Sequence, residues 1–243
     1  MITVYDLGPG KIPSHLGLSQ HVRKTIFTLN YKRIPFKIVN ITLDEVESTA
    51  KSVGAPPSTK NPDGSPKYTV PFIHDSTTGK VVTESFLIAE YLDEAYPDTP
   101  KVIPPGTRAL QHVFAETSSG KLLPLVPLYI PRIVDFSAPG MVEMALRRFG
   151  PPPSPPTDEQ REEMWKTAED GFNELTSAYG DKEGIFVMGE KPVFADLALA
   201  ALIATIKVSF GDESEEWKRA SGWIGGRAGK LVDEVIKYER VSA

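Results

Sequence analysis

The chain has no cysteine among its 243 residues. This absence excludes structural disulfides, zinc sites with thiolate ligands and a cysteine nucleophile on the protein, and it is compatible with a reducing compartment. Histidine is scarce as well, with four in the whole sequence. No two of them have the His-x-x-x-His spacing of a helical metal site, so we predict no metal site and interpret them as surface or loop residues.

Long apolar runs are also lacking. No window approaches the roughly 18 uninterrupted apolar residues of a membrane span, and the N-terminus enters Ile2-Thr3-Val4-Tyr5 without a basic and apolar leader. The formal net charge of -5 argues against a nucleic-acid-binding or membrane-surface protein. We therefore predict a cytoplasmic protein whose partners include neither nucleic acid nor membrane.

The first hundred residues alternate between strand and helix patterns. Ile2–Leu7 is β-branched and alternating, residues 19–34 have helical periodicity, and Phe36–Ile41 reads as a second strand. A long loop over residues 8–18 separates the first strand from the first helix, and loops of this length more often carry function than short ones. A short helix over residues 44–53 and a turn-rich loop over residues 54–66 complete a β-α-β unit followed by a loop.

A proline stands where the next strand should pair with its neighbours. Pro71 cannot donate a ladder hydrogen bond, so residues 69–73 are either an edge strand or contain a cis Val70-Pro71 bond. In the second case, the Val70 N–H and C=O groups face outward together and can pair with an extended peptide ligand. A further short strand and a helix over Ser85–Ala95 follow.

That helix begins with Glu84-Ser85. Free N–H groups at a helix start, next to a serine hydroxyl, suit a carboxylate, and the neighbouring acidic side chain suits an amine. A peptide backbone beside Val70 and an amino-acid head group at Glu84-Ser85 together describe a γ-glutamyl peptide. As alternatives, Val70-Pro71 marks only an edge strand or turn, and Ser85 is only a helix cap.

The remainder of the chain has helical patterns and no strand signals. Prolines and a glycine punctuate residues 96–106, so we place a linker at residues 97–106, between a domain at residues 1–96 and another at residues 107–243. The helical patterns cover residues 107–121, 141–149, a segment opened by a Thr157-x-x-Gln160 capping box, 195–204 and 229–238, and a proline-rich tract at 150–156 predicts an extended spacer.

The order strand, Val-Pro, strand, Glu-Ser and a helix reading Ile-Ala-Glu-Tyr-Leu resembles the glutathione-binding half of glutathione transferases. The resemblance implies an α/β thioredoxin-like N-terminal domain, an all-α helical C-terminal domain and glutathione as co-substrate. The family begins its central C-terminal helix with a Ser/Thr-x-x-Asp box. Here Val193 replaces the hydroxyl residue, while Asp196 can still reach the Val193 N–H.

The segment Ser-Gln-His-Val-Arg-Lys at residues 19–24 resembles the Ser-Pro-x-x-Arg-Lys helix start of serine- and cysteine-type transferases, with Gln20 in place of proline. The resemblance implies that Ser19 is catalytic; as the alternative, Ser19 is only an N-cap. Ser14 in the same loop is the second candidate, and Tyr5 lies too far inside the strand.

The expected role of Ser19 is to stabilise a thiolate. A free thiol has a pKa of about 8.5, and lowering it by about two units requires roughly 2.7 kcal/mol of preferential interaction with the anion. A hydroxyl donor and a helix N-terminus can supply that energy. Because the chain has no cysteine, the mixed-disulfide chemistry of omega-type and glutaredoxin-like relatives is excluded, and the thiol must come from glutathione.

Residues 2–95 most closely resemble fungal serine-type transferases related to bacterial lignin β-aryl etherases. This resemblance implies a homodimer that conjugates glutathione to aromatic or polyphenolic electrophiles, or reduces peroxides, in detoxification. A second-substrate pocket is expected between the first loop and the first C-terminal helix, with Phe114 as a wall residue. Two other functions remain open: a non-catalytic carrier of aromatic ligands such as polyphenols, and a transferase-like interaction module.

Overall fold

The computed structural model describes residues 1–150, 154–179 and 184–238. Its first part is a four-stranded mixed sheet with helices packed on it, as the sequence predicted. The elements are β1 (Ile2–Leu7), α1 (Gln20–Lys32), β2 (Phe36–Ile41), α2 (Glu45–Ser52), β3 (Thr59–Lys60), β4 (Pro66–Lys67), β5 (Phe72–Asp75), β6 (Lys80–Thr83) and α3 (Ser85–Ala95).

The strand order in the sheet is β2-β1-β5-β6, with β1 parallel to β2 and antiparallel to β5, and β5 antiparallel to β6. The edge-strand alternative was therefore wrong, because β5 lies between two partners. Pro71 precedes the first paired residue, Phe72, so its missing N–H costs the ladder nothing. The Val70-Pro71 bond is cis, which is the other alternative.

The predicted loop over residues 54–66 contains structure of its own. Strands β3 and β4 pair as a small antiparallel hairpin outside the main sheet. Its turn is closed by Asp63, whose carboxylate accepts from the Ser65 N–H at 2.9 Å and the Ser65 hydroxyl at 2.6 Å. Because this turn is set by the single residue Asp63, the composition of residues 54–66 indicated a loop but not the hairpin.

The second part of the chain is helical throughout its described residues. The helices are α4 (Arg108–Gly120), α5 (Val126–Ile133), α6 (Met141–Phe149), α7 (Asp158–Asn173), α8 (Leu175–Tyr179), α9 (Phe194–Phe210), α10 (Glu215–Ser221) and α11 (Arg227–Ile236). Pro127 and Pro131 lie within α5. Most of the predicted proline spacer, at residues 151–153, lies outside the described residues.

Helix α7 begins at the predicted capping box. The Thr157 hydroxyl accepts from the Gln160 N–H, and the Gln160 side chain accepts from the Thr157 N–H, so the capping box is confirmed. A break at Glu174 separates α7 from α8. Trp165 on α7 is buried.

Helix α9 is the centre of the helical layer. Its side chains are buried from Phe194 to Ile206, which confirms the prediction from its nearly continuous apolar sequence. Asp196 accepts from the Val193 N–H at 2.9 Å and also from the Val187 N–H at 2.8 Å. The carboxylate half of the capping box therefore exists without the hydroxyl half.

One cluster of buried apolar side chains extends from β1 through α1 to α9 and α11, so the sheet and the helical layer share a core. A buried ion pair, Lys32 Nζ to Asp93 Oδ1 at 2.6 Å, joins α1 to α3. Asp93 also accepts from the N–H groups of Val102 and Ile103. The second half of the predicted linker is thus bound to α3, while the boundary at residues 97–106 stays a prediction.

Within the described ranges, none of the helices is both long enough and apolar enough to cross a bilayer. The same residues contain no group of three His, Asp or Glu side chains that could hold a metal ion. The histidines are not all at the surface or in loops, because His74 is half-buried within β5.

Candidate active site

One end of the sheet brings the predicted site segments together. In the antiparallel register, Tyr5 of β1 pairs with Phe72, and Phe72 pairs with Thr83 of β6. The residues that follow β1, precede β5 and follow β6 therefore leave the sheet at the same end. These are the loop that leads to Ser19, the Val70-Pro71 pair and the Glu84-Ser85 pair.

The backbone of Val70 is available to a ligand. Within the part of the chain that the structure describes, neither its N–H nor its C=O has a hydrogen-bond partner, and the residue is half-buried. The next carbonyl, that of Pro71, accepts from the Glu84 N–H at 3.2 Å. These backbone groups of Val70 lie one residue from a direct link to the start of α3, an arrangement that suits an extended peptide.

Helix α3 begins without a cap. Glu84 is the N-cap residue, with φ 74° and ψ 126°, and its side chain does not bond the helix end. The first helical bond is made by Ile88, whose N–H donates to the Glu84 carbonyl at 2.8 Å. The N–H groups of Ser85, Phe86 and Leu87 have no partner among the described residues. These N–H groups and the helix dipole favour an anion.

The positive φ of Glu84 is itself informative. A non-glycine residue in this region is uncommon and is held there at a cost of about 1–3 kcal/mol. Such backbone strain is concentrated at ligand sites, and here it occurs at a residue that sequence analysis assigned to an amine. The Glu84 side chain is half-buried and accepts no hydrogen bond from a described residue.

A buried lysine stands behind this helix start. Lys24 of α1 is 2% exposed, and its Nζ donates to the Ser119 hydroxyl of α4 at 2.8 Å. Burial lowers the pKa of Lys24, and the nearby carboxylates of Glu116 and Glu84 oppose this effect. Glu84 therefore faces a cation, and sequence reasoning missed this contribution because the partners come from α1, α3 and α4.

Ser19 occupies the N-cap of α1, where its hydroxyl oxygen accepts from the His21 N–H at 3.2 Å. The cap alternative is therefore correct as a description of local structure. It does not use the hydroxyl proton, however, because Ser19 Oγ donates to no described residue. The same hydroxyl can cap the helix as an acceptor and stabilise an anion as a donor.

The backbone of Ser19 is bound to β1. Its N–H donates to Asp6 Oδ1 at 3.1 Å, and the same carboxylate accepts from the N–H groups of Leu18 at 2.5 Å and Leu7 at 2.7 Å. Burial raises the pKa of Asp6 to about 6, although the three backbone donors and Arg23 act in the opposite direction. An acidic residue inside an apolar strand is the signal that could have revealed this group.

Gln20, which replaces the usual proline, is bound by a helix of the second layer. The phenol of Tyr129 on α5 donates to Gln20 Oε1 at 3.0 Å. Burial raises the pKa of Tyr129 to about 12, so it is a phenol at neutral pH. The Gln20 amide is therefore oriented by a buried donor.

The other residues considered in the sequence analysis are not part of this group of site residues. Tyr5 lies inside β1 with its ring stacked on Phe72, as expected, and Ser14 begins a 3-10 turn at Ser14–Leu16. Phe114 is half-buried on α4, and its ring contacts Tyr179 edge-on. That contact lies within the helical layer, so a role for Phe114 as a pocket wall stays a prediction.

Two family models match this chain. The model described as "Glutathione S-transferase, C-terminal domain" matches residues 109–238, and the one described as "Glutathione S-transferase, N-terminal domain" matches residues 14–100. The chain belongs to the glutathione S-transferase family. This confirms the predicted family, the enzyme class and the thioredoxin-like and helical architecture.

Solved structures from fungi resemble the chain over its full length. The glutathione S-transferase CsGST63524 of Ceriporiopsis subvermispora, solved in complex with glutathione, is 32% identical with a TM-score of 0.87, and the match covers 99% of this chain and 98% of that one. GSTFuA3 of Phanerochaete chrysosporium is 31% identical with a TM-score of 0.84, covering 100% and 98%.

Curated relatives match over shorter ranges. The glutathione S-transferase-like protein ustS of Aspergillus flavus is 29% identical over 206 residues, which are 76% of this chain and 73% of that protein. Glutathione S-transferase omega-1 of Sus scrofa is 32% identical over 149 residues, which are 58% of this chain and 56% of that protein. The chain thus spans little more than half the length of the omega-1 protein.

Proposed function

We propose that this protein binds glutathione at the shared end of the sheet and stabilises its thiolate with the Ser19 hydroxyl. In this proposal, the Val70 N–H and C=O pair with the peptide backbone of glutathione. The open start of α3 and the Ser85 hydroxyl hold the γ-glutamyl carboxylate, and Glu84 holds the γ-glutamyl amine.

The uncapped start of α3 is the observation that carries the proposal. Three backbone N–H groups at this start have no acceptor among the described residues, and the strained Glu84 beside them is linked to Pro71 by one hydrogen bond. The N–H groups match the carboxylate of an amino-acid head group, and the Glu84 carboxylate matches its amine. Ser19 follows β1, which pairs with β5, the strand that begins directly after Pro71. The hydroxyl proton of Ser19 is not donated to a described residue. The complex of a full-length relative with glutathione supports the same co-substrate here.

The chemistry follows from the donors present. The glutathione thiol loses its proton to solvent, and the Ser19 O–H donates to the resulting thiolate without forming a covalent bond. The sulfur then attacks an electrophilic carbon, forming a carbon–sulfur bond while a leaving group departs with the electron pair. The protein supplies no sulfur to this reaction, because it has no cysteine.

The proposal also covers the class of transferase, its substrates and its oligomeric state. We place the chain among fungal serine-type transferases related to lignin β-aryl etherases, acting on aromatic or polyphenolic electrophiles or on peroxides in the cytoplasm. Exposed apolar side chains at Leu87 on α3 and at Leu110 and Val113 on α4 support a homodimer. Sedimentation or size exclusion tests that assembly.

Binding and turnover test the proposal. The protein is applied to glutathione-agarose and eluted with free glutathione, and Ser19→Ala is assayed with chlorodinitrobenzene or an isothiocyanate. We expect retention of both proteins and a loss of turnover of about 100-fold in the variant. Failure to bind the resin rejects the site, and full turnover by the variant rejects the role of Ser19. Displacement of a fluorescent aromatic ligand without any turnover in the wild type favours the carrier.

A further inference from the structure

The loop that delivers Ser19 is fixed at its end by two buried charged side chains. From β1, the Asp6 carboxylate accepts the N–H groups of Leu18 and Ser19. From α1, the Arg23 guanidinium donates to the carbonyls of Leu16 at 2.8 Å and Gly17 at 2.7 Å. Four consecutive residues before and including the proposed catalytic serine are therefore held by side chains.

Both anchors are set in the core. Asp6 has no exposed surface and Arg23 is 1% exposed. Arg23 also donates to the Ala201 carbonyl at 3.2 Å and the Thr205 hydroxyl at 2.6 Å on α9. Because these elements are packed on both sides, the anchors do not follow loop motion.

The path of the loop is equally constrained. Gly17 has φ +73°, and a Cβ at this position would meet Ile26 Cδ1 at 2.8 Å. The chain therefore turns at a point where only glycine fits without displacing a core side chain. Directly after this turn, Leu18 and Ser19 present their N–H groups to Asp6.

We infer that Asp6 is a positioning residue for catalysis: its carboxylate fixes the backbone of Leu18 and Ser19 and thereby sets the direction of the Ser19 hydroxyl. This inference rests on the proposed role of Ser19. An aspartate is needed because three N–H donors converge on one side chain. An ionised carboxylate is all acceptor, whereas asparagine turns an amide donor toward some of these N–H groups.

The thiol pKa of bound glutathione is a readout that a merely structural role would not move. It is followed through the ultraviolet absorbance of the thiolate across pH, in wild type, Asp6→Asn, Ser19→Ala and the double variant. We expect Ser19→Ala to raise this pKa by about two units, toward the free value of about 8.5. Asp6→Asn is expected to raise it by about one unit, and the double variant no more than Ser19→Ala alone.

Asp75→Asn is the matched control. Asp75 is also fully buried in the sheet, and it accepts from the phenols of Tyr91 and Tyr96, each at 2.6 Å. Its loss removes a buried carboxylate of the neighbouring strand without touching the Ser19 loop. We expect the thiol pKa in this variant to equal that of the wild type. Glutathione affinity is expected to stay within about threefold in Asp6→Asn, because Val70 and Glu84-Ser85 are unchanged.

The outcomes distinguish a failure of the proposed function from a failure of the positioning role of Asp6. If Ser19→Ala leaves the thiol pKa unchanged, the proposed function fails. If Ser19→Ala raises it and Asp6→Asn does not, or if Asp6→Asn acts equally in the Ser19→Ala background, the positioning role is overturned. Should Asp6→Asn not fold, as judged by circular dichroism, Asp6→Glu decides. That variant keeps the charge and displaces the loop by one methylene, and an unchanged thiol pKa would then refute the inference.

Discussion

Helices α3 and α9 begin in opposite ways. The start of α9 is closed from within the chain: the Phe194 N–H donates to the Val102 carbonyl at 2.7 Å, and the Ala195 N–H donates to Gln111 Oε1 at 2.9 Å. Asp196 accepts from the N–H groups of Val193 and Val187, which precede the helix. At the start of α3, the Glu84 side chain accepts from none of the helix N–H groups, and those of Ser85, Phe86 and Leu87 have no acceptor among the described residues. The two ends also differ in burial, because Asp196 has no exposed surface and Glu84 is half-buried.

This difference shows what each end is for. A helix start inside the core has no access to water, so its N–H groups require an acceptor from the chain itself. A helix start at the rim of the sheet can be satisfied by solvent or by a ligand. In the proposed function, the closed end serves folding and the open end serves binding. The following experiments test that separation from the largest expected effect to the smallest.

The closed end should make stability depend on pH. Burial raises the pKa of Asp196 from 3.8 to about 7. Because the folded pKa lies above the unfolded one, folding favours the protonated acid, and the free energy of unfolding falls as the pH rises from about 4 to about 7. The change corresponds to about 4 kcal/mol.

Denaturant unfolding across this pH range compares wild type with Asp196→Asn, which does not titrate. We expect the stability of the wild type relative to the variant to decrease with rising pH by that amount. Parallel pH profiles for the two proteins would contradict the prediction. Glutathione affinity of the folded variant serves as the control and should not change.

The open end should respond to loss of its charge in binding rather than in stability. Glu84→Gln is expected to weaken glutathione binding about 30-fold, or about 2 kcal/mol, because a charged acceptor for the amine is lost. The free energy of unfolding should fall by about 1 kcal/mol or less, since the Glu84 side chain caps no helix N–H group and only its charge near the buried Lys24 is lost.

Calorimetric titration with glutathione measures the loss. Glu90→Gln on the same helix is the control, because Glu90 is paired with Arg108 and should leave affinity unchanged. Equal effects of the two variants would show that general charge, rather than the carboxylate at the helix start, attracts the ligand.

A glycine at position 84 should separate the backbone strain, measured as stability, from the contribution of the Glu84 side chain to glutathione affinity. Glu84→Gly relieves the positive φ of 74°, so we expect the ligand-free protein to gain about 1 kcal/mol in unfolding free energy while glutathione affinity falls. Thermal unfolding with and without glutathione measures both effects. A loss of stability in the ligand-free protein would show that the Glu84 side chain contributes more to folding than its backbone costs.

The smallest effect concerns the missing half of the α9 cap. Val193 already has the extended backbone of an N-cap, with φ −114° and ψ 175°. Val193→Thr adds a hydroxyl within reach of the helix N–H groups and should stabilise the protein by about 0.5–1 kcal/mol. Urea denaturation at neutral pH detects this gain. Val208→Thr, which lies within α9 and away from its start, is the control and should give no gain.

Features formed by residues that are close in the sequence could be predicted. Val70-Pro71 and Glu84-Ser85 were predicted as binding residues because each pair is contiguous and adjacent residues indicate the chemistry of a peptide ligand; their binding role stays a prediction. The half cap at Asp196 was found for the same reason, since its acceptor and donor are three residues apart. The cis bond appeared only as one of two alternatives, because an edge strand explains a proline equally well.

The groups that sequence reasoning missed are those with distant partners. Gln20 receives its hydrogen bond from Tyr129, 109 residues later, and Lys24 donates to Ser119, 95 residues later. Asp6 holds Ser19 across a loop that local patterns do not specify. Such contacts depend on how α1, α4 and α5 pack against the sheet, and that packing is a property of the whole fold.

The hydrogen bonds of Arg23 limit how freely the two halves of this enzyme can be exchanged. A chimera that combines residues 1–96 with the helical region of another transferase must present acceptors equivalent to Ala201 and Thr205. Without them, the guanidinium that supports the Ser19 loop loses two hydrogen bonds in a buried site. Recombination within this family should therefore succeed most often when α1 and α9 are inherited from the same parent.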